Sequence, residues 1–340
     1  MTDRVLLTGI SGFLGGHVAL QLLNAGYIVR GSVRNLSRAD KVKATLAKAG
    51  ADVSRLEFVA LDLEKDEGWD AAMEGVRFVQ HIASPFVLQM PEDKNDLIRP
   101  AVEGTERALS AALAANVERI VLTSSMAAIA YGHDKSRTAP FTANDWTNLE
   151  GRDVTPYTES KTRAERRAWE IMRAAGREKD LATINPSGIF GPLLDEDPGT
   201  SATLVQRLMN GSVPASPRIP LVVIDVRDVA QAHVAAMTSP NAGGHRFPMG
   251  ESTMFFGEVA ALLRNAFPAY ANKIPRRRLP DWAVRVYALF DRDLRSNLGE
   301  LGVLKRLDSS AAMRLLDRKL TPADASFIAT GESLIAHGLV

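Results

Sequence analysis

Tyr157 and Lys161 stand four residues apart in the stretch TPYTESK, residues 155–161. Thr155 and Pro156 are typical of a helix start, since a threonine hydroxyl can cap the first free amides and proline tolerates the first helical position. Residues four apart share one face of a helix, so the Lys161 ammonium can lower the pKa of the Tyr157 phenol from about 10 toward neutral pH. Such a phenol would donate a proton to a carbonyl group under reduction, or accept one in the reverse reaction.

A second tyrosine–lysine pair, Tyr131 and Lys135, has the same spacing. Gly132 lies inside it, and the segment is a polar stretch after an apolar run, which is typical of a loop rather than a helix. We therefore expect this pair to have no catalytic role.

Ser125 ends the turn Thr123-Ser124-Ser125, which follows a predicted strand at residues 119–122. A hydroxyl there can hold the carbonyl oxygen of a substrate beside the phenol and stabilise the developing alkoxide. The alternative is a capping or turn role, which such residues often have. Next to Tyr157 and Lys161, the catalytic interpretation is favoured.

A glycine-rich turn at residues 8–15 follows the short apolar run 5–7 and precedes an amphipathic stretch, 16–25. Gly9, Gly12 and Gly15 have the spacing Gly-x-x-Gly-x-x-Gly rather than Gly-x-Gly-x-x-Gly. Strand, glycine turn and helix are nevertheless the context of a dinucleotide-binding loop, in which the pyrophosphate sits on the helix N-terminus. The alternative is a tight turn without a ligand.

The residue after the second predicted strand, 27–33, indicates which nicotinamide cofactor binds. An acid there would bind the ribose hydroxyls of NAD, whereas an arginine suits the 2′-phosphate of NADP. This chain has Arg34, with Arg30 and Arg38 nearby and no acid before Asp40. NADPH/NADP+ is favoured; the alternative is that Arg34 is a solvated charge.

Predicted strands alternate with predicted helices over most of the chain, which indicates an α/β fold with a doubly wound parallel (Rossmann) sheet. The predicted strands are 5–7, 27–33, 56–61, 76–82, 119–122, 181–185 and 221–226, and the principal predicted helices are 97–115, the helix that opens at Pro156, 228–238 and 280–290. We expect residues 221–226 to return to the same sheet. All the motifs above fall at the carboxyl ends of strands, where ligands bind in such folds.

The remaining segments carry three expectations. Residues 193–220 are rich in Pro, Gly and Ser and should be irregular. In the predicted helix 280–290, the side chains of Trp282, Val286, Tyr287 and Phe290 should lie in the core. Arg276, Arg277 and Arg278 should form a solvated run of charge. These expectations follow from composition and periodicity.

Composition excludes several classes of function. The formal net charge of +1 gives no field that would attract nucleic acid or an anionic membrane. The absence of cysteine excludes disulfides and thiolate sites, the six histidines lack metal-ligand spacing, and no Gly-x-Ser-x-Gly nucleophile motif occurs. The first strand begins by Arg4, leaving no room for a signal peptide, and no apolar run approaches the roughly 18 residues of a membrane span. We expect a cytoplasmic protein with no metal.

These motifs together resemble those of the extended short-chain dehydrogenases/reductases. The chain is most similar to the branch of dihydroflavonol reductases, cinnamoyl-CoA reductases and microbial NADPH-dependent aldehyde/ketone reductases. The resemblance runs from about residue 4 to residue 240, and the segment His81-Ile82-Ala83-Ser84-Pro85 resembles the reductase branch specifically.

The resemblance implies roles for individual residues. Ser125, Tyr157 and Lys161 would be catalytic, and Lys161 would also bind the nicotinamide ribose. Asp62-Leu63 would meet the adenine, and Pro186-Ser187 the nicotinamide amide. The implied cofactor-binding residues are Gly9, Gly12, Phe13, Leu14, Gly15, Arg34, Asp62, Leu63, Ala83, Ser84, Lys161, Pro186 and Ser187.

The substrate is an aldehyde or ketone with an aromatic or aliphatic body, according to the same resemblance. Ala130 and Val222 stand where the plant flavonoid enzymes have an asparagine and a glutamine, which argues against flavonoids, and a plant-type cinnamoyl-CoA motif is absent around residues 136–146. The pocket should be apolar, with walls from Phe86, Met126 and the 193–220 segment.

The sequence thus predicts an NADPH-dependent reductase that is a monomer or a homodimer. Residues 1–186 and 221–242 would form the dinucleotide-binding domain, and residues 187–220 and 243–340 a smaller, mostly C-terminal substrate-binding domain. Two alternatives stay open: an NAD-dependent nucleotide-sugar epimerase or dehydratase, which uses the same Ser, Tyr and Lys, and a non-catalytic NADP-binding regulatory protein.

Overall fold

The computed structural model of the protein describes residues 3–84, 93–290, 295 and 298–340. The strands within these ranges are β1 (Arg4–Thr8), β2 (Ile28–Val33), β3 (Leu56–Ala60), β4 (Phe78–His81), β5 (Arg119–Thr123), β6 (Leu181–Pro186), β7 (Gly188–Phe190), β8 (Pro220–Asp225), β9 (His245–Met249) and β10 (Ser252–Phe255).

Seven strands form one parallel sheet in the order β3-β2-β1-β4-β5-β6-β9. The direction in which strands are added reverses between β1 and β4, and such a switch point opens a crevice at the carboxyl ends of the strands. The predicted doubly wound parallel sheet is confirmed.

Helices cover both faces of this sheet. In the described ranges they are α1 (Phe13–Asn24), α2 (Ala39–Lys48), α3 (Trp69–Met73), α4 (Asn95–Ala114), α5 (Pro156–Ala174), α6 (Gly199–Met209), α7 (Val226–Thr238), α8 (Phe256–Ala266), α9 (Asp281–Tyr287), α10 (Ser310–Leu316) and α11 (Ala323–Ala336). Alternation along β1 shows the two layers, because Val5 and Leu7 pack in the core under α1 and α7, whereas Leu6 packs in the core under α4 and α5.

The strand at 220–225 does not join the main sheet, so that prediction is wrong. β8 pairs in parallel with β7 and antiparallel with β10 in a separate three-stranded sheet, and β9 takes the position beside β6. A buried apolar run has the same composition in either sheet, and its pairing partners lie far away in the sequence. Hydrophobicity alone therefore could not assign the partner.

Two further predictions about the C-terminal part are wrong. Residues 193–220 contain α6, whose buried side chains Ala202, Val205 and Leu208 have helical spacing. Trp282 and Phe290 around α9 are 70% and 86% exposed rather than in the core, because the helix buries Val284 on its opposite side. The run of three arginines at 276–278 is exposed, as predicted.

Candidate active site

The turn after β1 is tied to the end of β4 by the Thr8 hydroxyl. Its oxygen accepts hydrogen bonds from the backbone amides of Ile82 (3.1 Å) and Ala83 (3.0 Å), and it lies 3.0 Å from His81 Nδ1. Burial, together with the charge of Lys161, lowers the pKa of His81 to about 4, so this imidazole is neutral at pH 7. The floor of the crevice is therefore a hydrogen-bonded, uncharged junction between two neighbouring strands.

The predicted glycine turn has the geometry of an anion cradle. Gly9 adopts a φ of +74°, and a Cβ atom on Gly15 would lie 2.0 Å from the Gly9 carbonyl oxygen. Gly12 is the N-cap of α1. It has no side chain, so no side chain caps the backbone amides of the first turn of this helix, which begins with Phe13 and Leu14. Backbone amides at a helix N-terminus that have no capping side chain can bind a diphosphate, and the glycines let the backbone come close to it.

The ends of β2 and β3 carry the residues predicted to bind the adenosine end of the cofactor. Val33 pairs with Ala60, so Arg34 and Asp62 follow neighbouring strand ends, and Arg34 is exposed. Asp62 Oδ1 accepts a hydrogen bond from the amide of Glu64 (3.1 Å), and this interaction fixes a turn.

Two neighbours of this region have structural contacts. Arg30 is turned away from the crevice, because its guanidinium donates to the Glu57 carboxylate (3.2 Å) and to the Ala72 carbonyl (2.8 Å). The carbonyl of Leu63 accepts a hydrogen bond from Arg107 (3.0 Å), which holds this residue against α4. Of the arginines considered from the sequence, Arg30 is therefore excluded as a phosphate ligand.

Ser125 lies where it was predicted, one turn beyond β5. The backbone amide of Ser124 donates to the Ile184 carbonyl (2.8 Å), which fixes this turn on β6. The Ser125 hydroxyl oxygen accepts from the Ala127 amide (3.1 Å), which leaves its own hydrogen as the donor in any further hydrogen bond. Ser125 is 8% exposed and so is largely shielded from water.

Tyr157 and Lys161 occupy the first turns of α5, as their spacing predicted. Thr155 caps this helix by accepting from the Thr158 amide (3.2 Å), while the Thr158 hydroxyl accepts from the Thr155 amide (2.7 Å), and Pro156 takes the first position. Lys161 Nζ lies 5.9 Å from the centroid of the Tyr157 ring. A reciprocal cap fixes the start of the helix and so fixes both side chains.

The sequence predicted a lowered pKa for Tyr157, and this prediction is wrong. Burial raises the pKa of the Tyr157 phenol above its ordinary value, and a hydrogen bond from Ser125 opposes this rise only in part. Burial also lowers the pKa of Lys161 to about 8. Each group is removed from water, and that removal disfavours the charged form of both, phenolate and ammonium alike. The structure thus brings Ser125, Tyr157 and Lys161 together, with desolvation dominating their electrostatics.

A buried carboxylate, Glu165, organises the strand ends behind these residues. It lies one helical turn after Lys161, accepts hydrogen bonds from the Ser124 hydroxyl (2.5 Å) and the side-chain amide nitrogen of Asn185 (2.7 Å), and pairs with Arg246 (2.6 Å). Sequence reasoning missed this network. The available signal was the spacing, since residues 157, 161 and 165 share one helix face.

Tyr131, set aside at the sequence level, also lies beside the site. Its loop conformation is as predicted, and Lys135 points elsewhere, since its Nζ donates to the Gly299 carbonyl (3.3 Å). The Tyr131 ring, however, packs against the same apolar cluster as Met126, the residue after Ser125.

The predicted nicotinamide end contains an unsatisfied buried hydroxyl. Pro186 ends β6, and the amide of Ser187 donates to the Met249 carbonyl (2.9 Å). Within the described part of the chain, Ser187 Oγ is buried without a hydrogen-bond partner. An orphaned polar atom at this edge fits a ligand that brings its own amide group.

The predicted substrate wall is apolar. Met126 packs against a cluster that includes Ala130 and Val222, the two positions where the flavonoid enzymes are polar. Ala83 abuts the glycine turn, since a Cβ atom on Gly9 would lie 3.0 Å from Ala83, and Ser84 is the next residue along the chain. Pro85 and Phe86 lie outside the described residues.

Two searches of the described ranges bear on other site types. They contain no helix long and apolar enough to cross a membrane. They also contain no group of three or more His, Cys, Asp or Glu side chains arranged to hold a metal ion.

Comparison with known proteins gives consistent matches. The family model described as NAD dependent epimerase/dehydratase family matches residues 5–250. Tetraketide alpha-pyrone reductase 2 of Arabidopsis thaliana is 34% identical over 275 residues, covering 79% of this chain and 84% of that protein. A cinnamoyl-CoA reductase of Medicago truncatula is 34% identical over 271 residues, covering 78% and 81%.

A solved structure extends the similarity over the whole chain. Yeast methylglyoxal/isovaleraldehyde reductase Gre2, crystallised with NADPH, superposes with a TM-score of 0.80 at 25% identity and covers 99% of this chain and 100% of that chain. The family resemblance inferred from the motifs is confirmed.

Proposed function

The chain belongs to the NAD dependent epimerase/dehydratase family, and from this premise we propose that it is an NADPH-dependent reductase of aldehydes or ketones, reversible as an alcohol dehydrogenase. The observation that carries the proposal is the convergence of Ser125, Tyr157 and Lys161 at the carboxyl edge of the sheet, beside a glycine turn that fits a diphosphate. The reductases at 34% identity and the NADPH complex at 25% identity support the reductase over the epimerase reading.

The three side chains have complementary roles in this reaction. When bound at this site, NADPH would supply a hydride for the carbonyl carbon. The Ser125 hydroxyl donates a hydrogen bond to the carbonyl oxygen, and Tyr157 transfers its proton to that oxygen, so that the product is a neutral alcohol. Lys161 stabilises the resulting tyrosinate, which then takes a proton from solvent.

Burial is compatible with this sequence of steps. A phenol whose pKa is raised is fully protonated before the reaction, as a proton donor must be. An ammonium whose pKa is about 8 is mostly charged at pH 7, and in a site shielded from water its charge acts on the tyrosinate more strongly than it would at the surface.

The residues predicted to bind NADPH divide among the strand ends. The unclaimed amides after Gly12 would hold the diphosphate, and Arg34 the 2′-phosphate. Ser187 Oγ would meet the nicotinamide amide, while Asp62 would face the adenine. The division into two interleaved domains, the cytoplasmic location and the monomeric or dimeric state stay predictions.

The test of the proposal is the consumption of NADPH, followed by absorbance, against a panel of aldehydes, ketones and CoA thioesters. We expect turnover with aldehydes or ketones, and a lower rate with NADH. An enzyme of the epimerase type would instead purify with tightly bound NAD, which mass spectrometry of the denatured protein detects. A regulatory protein would bind NADPH without turnover of any carbonyl compound.

A further inference from the structure

Glu165 connects the helix that carries Tyr157 and Lys161 to the sheet. It lies on α5, one turn beyond Lys161, and its side chain is fully buried. Both of its carboxylate oxygens accept hydrogen bonds from neighbouring side chains. The donors are Ser124, Trp169, Thr183, Asn185 and Arg246. Through these donors, one side chain of α5 contacts the turn after β5 and the strands β6 and β9.

The position of this carboxylate is set by Arg246. The Nε and Nη2 atoms of Arg246 donate to the two oxygens of Glu165 (2.6 and 3.2 Å), and Nη1 donates to the carbonyls of Ala143 (2.8 Å) and Asp145 (2.6 Å). The guanidinium also lies 3.7 Å from the ring centroid of Trp146. A bidentate pair has a restricted geometry, and a buried carboxylate needs such a partner. Arg246 therefore holds Glu165 in one orientation.

Two of the donors to Glu165 are also connected to Ser125. Ser124 directly precedes Ser125, is 5% exposed and donates its hydroxyl hydrogen to Glu165 Oε2 (2.5 Å). Asn185 Nδ2 donates to the same oxygen (2.7 Å) and lies 3.4 Å from the carbonyl oxygen of Ser125. The carboxylate thus holds the backbone of Ser125 on both sides, through the preceding residue and through the carbonyl group of Ser125 itself.

The placement of Ser125 relative to α5 matters because its side chain is hydrogen-bonded to Tyr157. Apolar side chains of α5 and β5 belong to one buried cluster, but apolar packing has no preferred direction. The hydrogen bond from Ser124 to Glu165 is directional, and it joins the turn that carries Ser125 to the helix that carries Tyr157. A hydrogen-bond donor for a developing alkoxide has to be placed accurately.

We propose that Glu165 is a positioning residue, which acts through Ser124 and Asn185 to hold the Ser125 hydroxyl beside Tyr157 during carbonyl reduction. The proposal rests on the proposed reductase activity and adds to it the origin of the geometry on which that reaction depends. The oxygens of Glu165 are occupied by the donors named above, so this carboxylate takes no direct part in the proton transfer.

The test uses Ser124→Ala, which removes one hydroxyl from Glu165 and keeps the ion pair. Glu165→Gln would leave the buried charge of Arg246 without its partner, at a large cost in stability. In Ser124→Ala we expect kcat with an aldehyde to fall about tenfold, as for a catalytic group misplaced by a fraction of an ångström, while the Kd for NADPH changes less than twofold. In a Ser125→Ala background, the same substitution should change kcat less than twofold, because residues that act through one another are not additive.

Trp169→Phe is the matched control. The Trp169 indole donates to the same carboxylate (3.3 Å) from the following turn of α5, and within the described ranges it has no hydrogen bond to Ser124 or Ser125. Its loss should lower the melting temperature at least as much as Ser124→Ala does, yet leave kcat within twofold. An equal fall of kcat in Trp169→Phe, a further tenfold loss in the Ser125→Ala background, or an unchanged kcat in Ser124→Ala would overturn the positioning role.

A signal that does not need turnover separates this proposal from the reductase itself. In protein labelled with ¹³C at the tyrosine Cζ atoms, the resonance of Tyr157, identified by its loss in Tyr157→Phe, reports the hydrogen bond with Ser125. It should shift in Ser124→Ala and stay unchanged in Trp169→Phe. Such a shift in a protein that reduces no carbonyl compound would reject the reductase and support the contact. An unchanged resonance in Ser124→Ala would reject the positioning of Ser125 by Glu165.

Discussion

The two halves of the crevice are built in different ways. The proposed cofactor half consists of residues 9–15, 34, 62–63 and 83–84, and the proposed substrate half consists of residues 126, 130–131, 222 and 307. In the cofactor half, short turns that directly follow parallel strands provide backbone amides and glycine surfaces. In the substrate half, the side chains come from three distant parts of the chain, which meet around Tyr131 and Val222.

The difference indicates which changes each half tolerates. A Cβ on Gly15 would collide with the Gly9 carbonyl. The cofactor half is therefore formed by closely packed backbone, and such a glycine position does not accommodate a larger residue. The substrate half depends instead on apolar side chains, among them Ala130, Val222 and Leu307. Substrate preference can therefore change by substitution while NADPH binding persists, and each prediction below tests that separation.

The largest effect is expected at the junction of the two halves. Tyr157→Phe removes the proton donor but keeps the ring, so kcat should fall about a thousandfold while the Kd for NADPH changes less than twofold. Steady-state rates and fluorescence titration with NADPH measure the two quantities. Tyr270→Phe, in a C-terminal turn beside Lys273, is the control and should be silent. Wild-type turnover in Tyr157→Phe would contradict the role of the phenol.

The next effect concerns the charge of Lys161. Its pKa is lowered to about 8, so the ammonium is present below that pH and is lost above it. We expect kcat/KM for NADPH, which reports the free enzyme, to fall about tenfold per pH unit above pH 8. Lys161→Arg stays charged in this range, so its profile should be flat even if its rate is lower. The same break in that variant would assign the titration to another group.

The local parts of this junction were accessible from the sequence. Thr155, Pro156 and the spacing of Tyr157 and Lys161 predicted the capped helix, because capping and side-chain periodicity are properties of neighbouring residues. The position of Ser125 followed from the end of a strand. The pKa of Tyr157 did not follow, since it depends on the water excluded by residues far away in the sequence.

The long-range parts were not accessible, and the errors share that cause. The pairing of β8 with β7 and β10, the contact of Lys305 with Tyr131 and the ion pair of Glu165 with Arg246 join segments separated by many residues. Periodicity shows that a helix or strand has one apolar face. It does not show which part of the chain packs against that face. For α9 even the buried face was assigned wrongly, since Trp282 is exposed.

A smaller, selective effect is expected within the cofactor half. Arg34→Ala should weaken NADPH binding about tenfold through the loss of a charged contact with the 2′-phosphate, and should leave NADH binding within twofold. Titrations with both cofactors measure the ratio. Arg55→Ala is the matched control, because Arg55 is also exposed but directly precedes β3 and so lies at the amino-terminal ends of the strands, away from the crevice. Equal losses for NADPH and NADH would remove Arg34 from the phosphate site.

The smallest effect separates substrate contacts from the core within one strand. Val222 belongs to the cluster with Ala130 and Leu307, whereas Val223 is fully buried on the other face of β8, against the core under α6 and α8. Val222→Ala should raise KM for a branched aldehyde about threefold to fivefold, as loss of part of an apolar wall predicts. Val223→Ala should instead lower the free energy of unfolding by about 2 kcal/mol and leave KM unchanged. Kinetics and urea denaturation of both variants measure the contrast, and a KM effect at Val223 but not at Val222 would place the substrate on the wrong face of this strand.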